Sequence, residues 1–163
     1  MTISLKHLNR RAGAALVSLL LLLTLAVSAS AAAVKMSVGV RFWRETGDKE
    51  SMADSAVDTA REATLTRQPN GTFTLELPVK QISSMNMTGS LTGISIGEVN
   101  YEGTLSGELS NGTAVLTLKN LPASVLTGSD SNQALAVTCS IKMDTILLGD
   151  ITTSARMSVW VER

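Results

Sequence analysis

The chain has 163 residues with 14 basic and 14 acidic side chains, one His, one Cys and 3% aromatic residues. A single Cys excludes an intramolecular disulfide, and the neutral, unpatterned charge gives nothing that nucleic acid would seek. Residues 1–33 read as a leader: Lys6, Arg10 and Arg11 precede an apolar run from Ala14 to Val27, and SASAAA follows. A basic start, a short apolar middle and small residues form a secretory signal peptide, with a cut after Ala31 or Ala33. The run is shorter than the roughly 20 residues that span a bilayer, and no second apolar segment follows, so no membrane anchor is expected.

Removing the leader takes away three of the 14 basic residues and leaves a net charge of about −3. It also removes His7, the only histidine. The domain expected over 34–163 is then without Ser-His-Asp or Cys-His catalysis and without histidine-held zinc or haem. Any metal chemistry must use Met, carboxylates, Cys139 or Tyr101. No nucleophile, base and acid stand in an arrangement that supports an enzyme.

In chain order, VKMSVGVRFWR (34–44) alternates, with Val34, Met36, Val38, Val40 and Phe42 on one face and Lys35, Ser37, Arg41 and Trp43 on the other. That is a half-buried strand. KESMADSAVDTA is the one helical segment: Ser51 suits a cap, Asp54 suits the positive end of the dipole, and Ala53, Ala56, Val57 and Ala60 make a narrow apolar stripe. EATLTRQ and TFTLELPV flank Pro69-Asn70-Gly71 and read as a hairpin. QISSMNMTGS reads as a loop, and SLTGISIGEVNYEGTLSGEL as one or two strands broken by glycines. Ser110-Asn111-Gly112 turns into TAVLTLK, NLPASVLTGSDSN is a loop with one short helical turn, and ALAVTCSIKM and SARMSVWVE are the last strands, joined by DTILLGDITT. About eight short strands at hairpin spacing predict an all-β, immunoglobulin-like antiparallel sandwich with one short helix after the first strand.

Several residues could carry chemistry. Met52 sits in a surface connection, where it is either a gap-filler or a ligand. Met143 shares parity with Val137, Cys139 and Ile141, and Met157 with Val159 and Val161; for both, a core role is the plain reading. Cys139 reads as a small buried hydrophobe. Met85-Asn86-Met87 has an M-x-M spacing that suits Cu(I), a soft ion. The acidic pairs Asp48/Glu50 and Asp54/Asp58 read as solvated surface.

The order of parts, with Ser51-Met52-Ala53-Asp54 after the first strand, an Asn-Gly hairpin, Thr88-Gly89-Ser90-Leu91 and a closing hairpin, resembles the NEAT (near iron transporter) domains of exported haem-uptake proteins. The resemblance covers residues 34–163 and implies haem in a groove between the short helix and the closing hairpin. Tyrosines that ligate iron in that family would align with Ile151 and Ala155, which excludes tyrosinate ligation. Members with methionine ligands are the closer match, and imply Met52 and Met143 as axial ligands, Met143 fitting better than Met157. The resemblance further implies b-type haem as cofactor. Contacts come from Ser51, Ala53, Ala56 and Ile151, apolar walls from Val57, Ile146, Leu147 and Leu148, and propionate partners from Lys49, Arg41 or Arg44. Implied partners are host haem proteins or a cell-surface haem receptor, met by a secreted carrier. Two other readings stand beside it: a cofactor-free protein-binding module of the same fold, and a Cu(I) protein using Met85 and Met87.

Overall fold

The structure is a computed structural model, and it describes residues 32–84, 87–144 and 149–162. Residues 1–31 of the leader, Met85, and Ile146, Leu147 and Leu148 lie outside the described residues.

Ten strands appear among these residues: β1 (Val34–Arg44), β2 (Ala63–Arg67), β3 (Phe73–Pro78), β4 (Ile82–Ser84), β5 (Met87–Ile96), β6 (Val99–Glu102), β7 (Thr104–Ser106), β8 (Val115–Leu121), β9 (Leu135–Met143) and β10 (Asp150–Val161). All pairings are antiparallel, in the order β4-β5-β9-β10-β1-β2-β3-β8-β7, with β6 also beside β5. The order folds into two layers because β1 serves both. Its first half pairs with β2 and its second with β10, and Val38 faces Ala63 on one side and Val161 on the other.

On the opposite flank the chain crosses between layers at Gly103, which joins β6 to β7. The Gly103 N–H donates to Thr92 O at 2.8 Å, and a Cβ there would stand 2.3 Å from the Leu116 side chain. Only a residue with no side chain passes this crossing.

The core follows the alternation of the strands. Phe42, Leu65, Leu75, Leu91, Leu118 and Ile141 are fully buried and come from both layers. Each contributes about 1.5–3 kcal/mol on burial, which holds the sandwich without a disulfide. Cys139 belongs to this core, fully buried, and burial pushes its thiol up to about 12.

The two Asn-Gly turns share one construction. Asn70 Oδ1 accepts from the Thr72 N–H and hydroxyl at 3.0 and 2.8 Å, and Asn111 Oδ1 from those of Thr113 at 3.1 and 2.6 Å. Each glycine takes the positive φ, +84° at Gly71 and +72° at Gly112. The asparagine itself locks the turn through its side chain.

Four expectations change. The loop expected at QISSMNMTGS is a hairpin, with β4 pairing β5 through Ile82↔Gly89, Ser83↔Thr88 and Ser84↔Met87. Its serines hide the alternation that would mark a strand. The glycine-broken segment holds three strands, β5, β6 and β7. The last strand starts at Asp150, four residues before SARMSVWVE, because Asp150 to Thr153 pair with β9 despite their polar outer face. The loop expected at NLPASVLTGSDSN begins only after β8 ends at Leu121, and two short helical turns follow, Ala123–Val125 and Ser131–Gln133, not one.

Candidate functional site

The expected short helix is a single 3-10 turn, Met52–Ala56. The chain reaches it by doubling back on β1. Gly47 turns with φ +78°, Arg44 N–H donates to Lys49 O at 2.8 Å, and Ser51 N–H to Phe42 O at 2.8 Å. Ser51 Oγ caps the turn by accepting from the Ala53 N–H at 3.2 Å. Asp54 does more than suit the dipole, and it is not a solvated charge. Its Oδ1 accepts the Phe42 N–H at 2.7 Å and ties the turn to β1. Burial raises its pKa, and the Phe42 bond opposes that shift without cancelling it.

Ala53 and Ala56 are wholly buried and Val57 nearly so, which anchors the turn on the core; Ala60 is exposed and leaves the stripe. Met52 points the other way and is 42% exposed. A hydrophobic side chain turned outward on a turn pinned by its neighbours is the first sign of a site. It lines a concavity of about 560 Å³ with Arg41, Arg44, Glu50, Ser51 and Lys80. Arg41 is shared, 3.8 Å from Glu50 and 5.4 Å over the Trp43 ring. Arg44 and Lys80 have no carboxylate within ion-pair distance among the described residues. Of the three expected propionate partners, Arg41 and Arg44 face this hollow and Lys49 does not. A neighbouring cleft of about 410 Å³ beneath Trp160 is lined by Arg61, Asp58, Glu62 and Glu162 and holds no thioether.

Met143 ends β9, beside Gly89 of β5. A Cβ on Gly89 would stand 2.9 Å from Met143 Sδ and 2.9 Å from Lys142 O, so the missing side chain makes the seat for the thioether. Met143 is half-buried against the core, whereas Met157 is fully buried within it. Ile151 faces Ile141 and is also half-buried; Ala155, on the same face of β10, is buried.

The hollow at Met52 does not include Met143 or Ile151. The two ends are nevertheless joined by three consecutive residues. Val79 bridges Val57, Lys80 N–H donates to Ala56 O at 2.8 Å, and Gln81 Nε2 donates to Asp144 Oδ2 at 3.1 Å. Asp144 is pinned again by Thr88, whose hydroxyl donates to Oδ2 at 2.8 Å. Residues 79–81 therefore link the Met52 turn to the end of β9.

No protein-family model and no curated protein matches the chain in sequence. A solved structure does match: a point mutant of IsdX2-NEAT5 in complex with haem, at 8% identity and a TM-score of 0.52, covering 80% of this chain and 98% of that one. The fold is that of a NEAT domain.

On this NEAT-type sandwich, two residues that sequence patterning passed over support the site. Lys80 follows the bridge at Val79 and adds a third cation to the hollow. Arg156 lies on β10, where its guanidinium donates to three carbonyls: Arg44 O at 3.1 Å, Ser131 O at 2.6 Å, and Gly47 O. It fixes the loop that leads into Ser51 and Met52. A charge set among apolar residues in SARMSVWV was its only signal. Among the described residues no three His, Cys, Asp or Glu side chains come together as a metal site.

Proposed function

We propose that the chain is an exported haem-binding protein that carries and hands over b-type haem, with Met52 on the lip and Met143 at the hairpin root as axial ligands. The observation that carries this reading is the outward thioether of Met52 on a pinned turn ringed by Arg41, Arg44 and Lys80. It sits on a fold shared with a domain whose solved structure holds haem.

The residues present suit the group. Haem would supply an iron, for which the thioethers of Met52 and Met143 would be soft, neutral ligands. Such a pair favours the ferrous state and raises the potential relative to tyrosinate, which suits transient carriage. Met143 is the better second ligand because Met157 is locked inside the core. The cations around Met52 would meet the carboxylates of the propionates in charge-assisted pairs. Ser51 and Asp54 hold Met52 in place by accepting backbone N–H bonds, and both also line the hollow beside it. Ala53 and Ala56 act from beneath as anchors, and Ile151 offers apolar surface where a tyrosine would otherwise bind iron.

Exchange partners under this reading are a haem-bearing host protein on one side and a cell-surface haem receptor on the other. A haemin titration of residues 34–163 tests it: one haem per chain with a new Soret band supports carriage. A spectrum identical to free haem, with both ferric and ferrous forms, ends the reading.

A further inference from the structure

We propose that Met52 is also an oxidation site, at which a peroxide converts the thioether of the haem-free chain to a sulfoxide and so closes the lip to haem. The proposal rests on the haem reading above and adds a control to the same site.

Among the methionines whose exposure is described, exposure selects the residue. Met52 is 42% exposed, Met36 and Met143 are half-buried against the core, and Met157 is fully buried. Susceptibility of a thioether to oxidation follows its access to solvent. In the reaction the O–O bond of the peroxide breaks and one S–O bond forms at Met52. Sulfur loses two electrons, the peroxide gains them, and water (or the alcohol of an organic peroxide) leaves.

The turn tolerates the change because its geometry does not use the Met52 side chain. It is held by Asp54 N–H to Ser51 O at 3.0 Å, Val57 N–H to Asp54 O at 3.0 Å, the Ser51 cap, and the buried Ala53 and Ala56. The product fits the hollow as well. A sulfoxide oxygen is a hydrogen-bond acceptor, and Arg41, Arg44 and Lys80 line the same space with donors only. For haem the effect is opposite. A soft sulfur ligand becomes a polar group that presents a hard oxygen, a poor partner for ferrous iron. A sulfur bonded to iron would have one of its two lone pairs engaged and would be covered by the ligand, so the empty protein is the sensitive form. Oxidation then works as a block on loading rather than as a release step.

The test treats haem-free residues 34–163 with excess hydrogen peroxide, removes it with catalase, and follows each methionine peptide by mass. Met52 is expected to gain one oxygen well before Met157, with near-UV circular dichroism unchanged. Haem uptake measured afterwards falls by about tenfold or more, as the loss of one ligand bond requires. Methionine sulfoxide reductase with a thiol reductant restores it. Oxidation of Met157 as fast as Met52 overturns the proposal. Complete oxidation at Met52 with unchanged haem uptake overturns it too, together with the ligand role of Met52, and leaves haem binding by the chain standing. An untreated chain that takes up no haem brings down both.

Discussion

The carboxylate of Asp54 accepts the backbone N–H of Phe42 at 2.7 Å, so the turn that carries Met52 is fastened to the strand before it by one side chain. Phe42 is fully buried, and its N–H loses this partner if Asp54 is removed. Asp54→Ala is expected to cost about 1–3 kcal/mol, the usual penalty for orphaning a buried donor. Asp54→Asn keeps an acceptor and loses less. Urea denaturation of the three proteins checks the order, wild type above Asn above Ala.

The same carboxylate gives an acid response of unusual direction. Burial raises the Asp54 pKa above its ordinary 3.8, so the folded state holds the proton more tightly than the unfolded chain. Its contribution to stability is fully present below that ordinary value and declines as pH rises through the raised one. Asp58 and Glu76 act the other way. A hydrogen bond from Arg61 lowers Asp58 from 3.8, and one from Lys35 lowers Glu76 from 4.5. Their contributions are present above those ordinary values and lost as pH falls through the lowered ones. Both pairs are partly solvated, so each effect is small. Denaturation midpoints between about pH 6 and pH 3 should fall with acid in the wild type, more steeply in Asp54→Asn and less steeply in Glu76→Gln.

Cys139 offers a probe of core integrity. Fully buried and with its thiol pushed up to about 12, it should resist iodoacetamide at neutral pH in the folded chain and react promptly in denaturant. Rapid labelling of the native protein, read by mass, would mean that β9 opens far more readily than its place between β5 and β10 allows.

Gly39 lies under the indole of Trp160, where a Cβ would stand 2.1 Å from the ring. Gly39→Ala is expected to destabilise by about 1–3 kcal/mol through overpacking. It should also shift the tryptophan emission, because the ring must swing outward. An unchanged midpoint and spectrum would show that the indole has another place to go.

Much of this was legible in the residues. The alternation in 34–44 gave the inner face of β1 correctly from Val38 to Phe42, and the Asn-Gly pairs marked both turns. The parity of Val137, Cys139 and Ile141 placed Met143 on the inner face. What stayed hidden depends on contacts between distant segments. Nothing near Val38 says that β1 is shared by two layers, because that follows from Ala63 and Val161 arriving on either side. The seat of Met143 over Gly89, the three carbonyls on Arg156 and the cation at Lys80 join residues tens of positions apart. At Asp54 and Asp58, charge alone suggested open solvent; the fold brings Phe42 to Asp54, and the local turn brings Arg61, three residues on, to Asp58.

The visible spectrum of the ferrous haem complex tests the methionine pair most directly. In the wild-type chain the complex should be six-coordinate and low-spin, and Met52→Ala and Met143→Ala should each convert it to a five-coordinate, high-spin form without unfolding the protein. A ferrous spectrum that is the same in the wild type and in both variants would contradict the account.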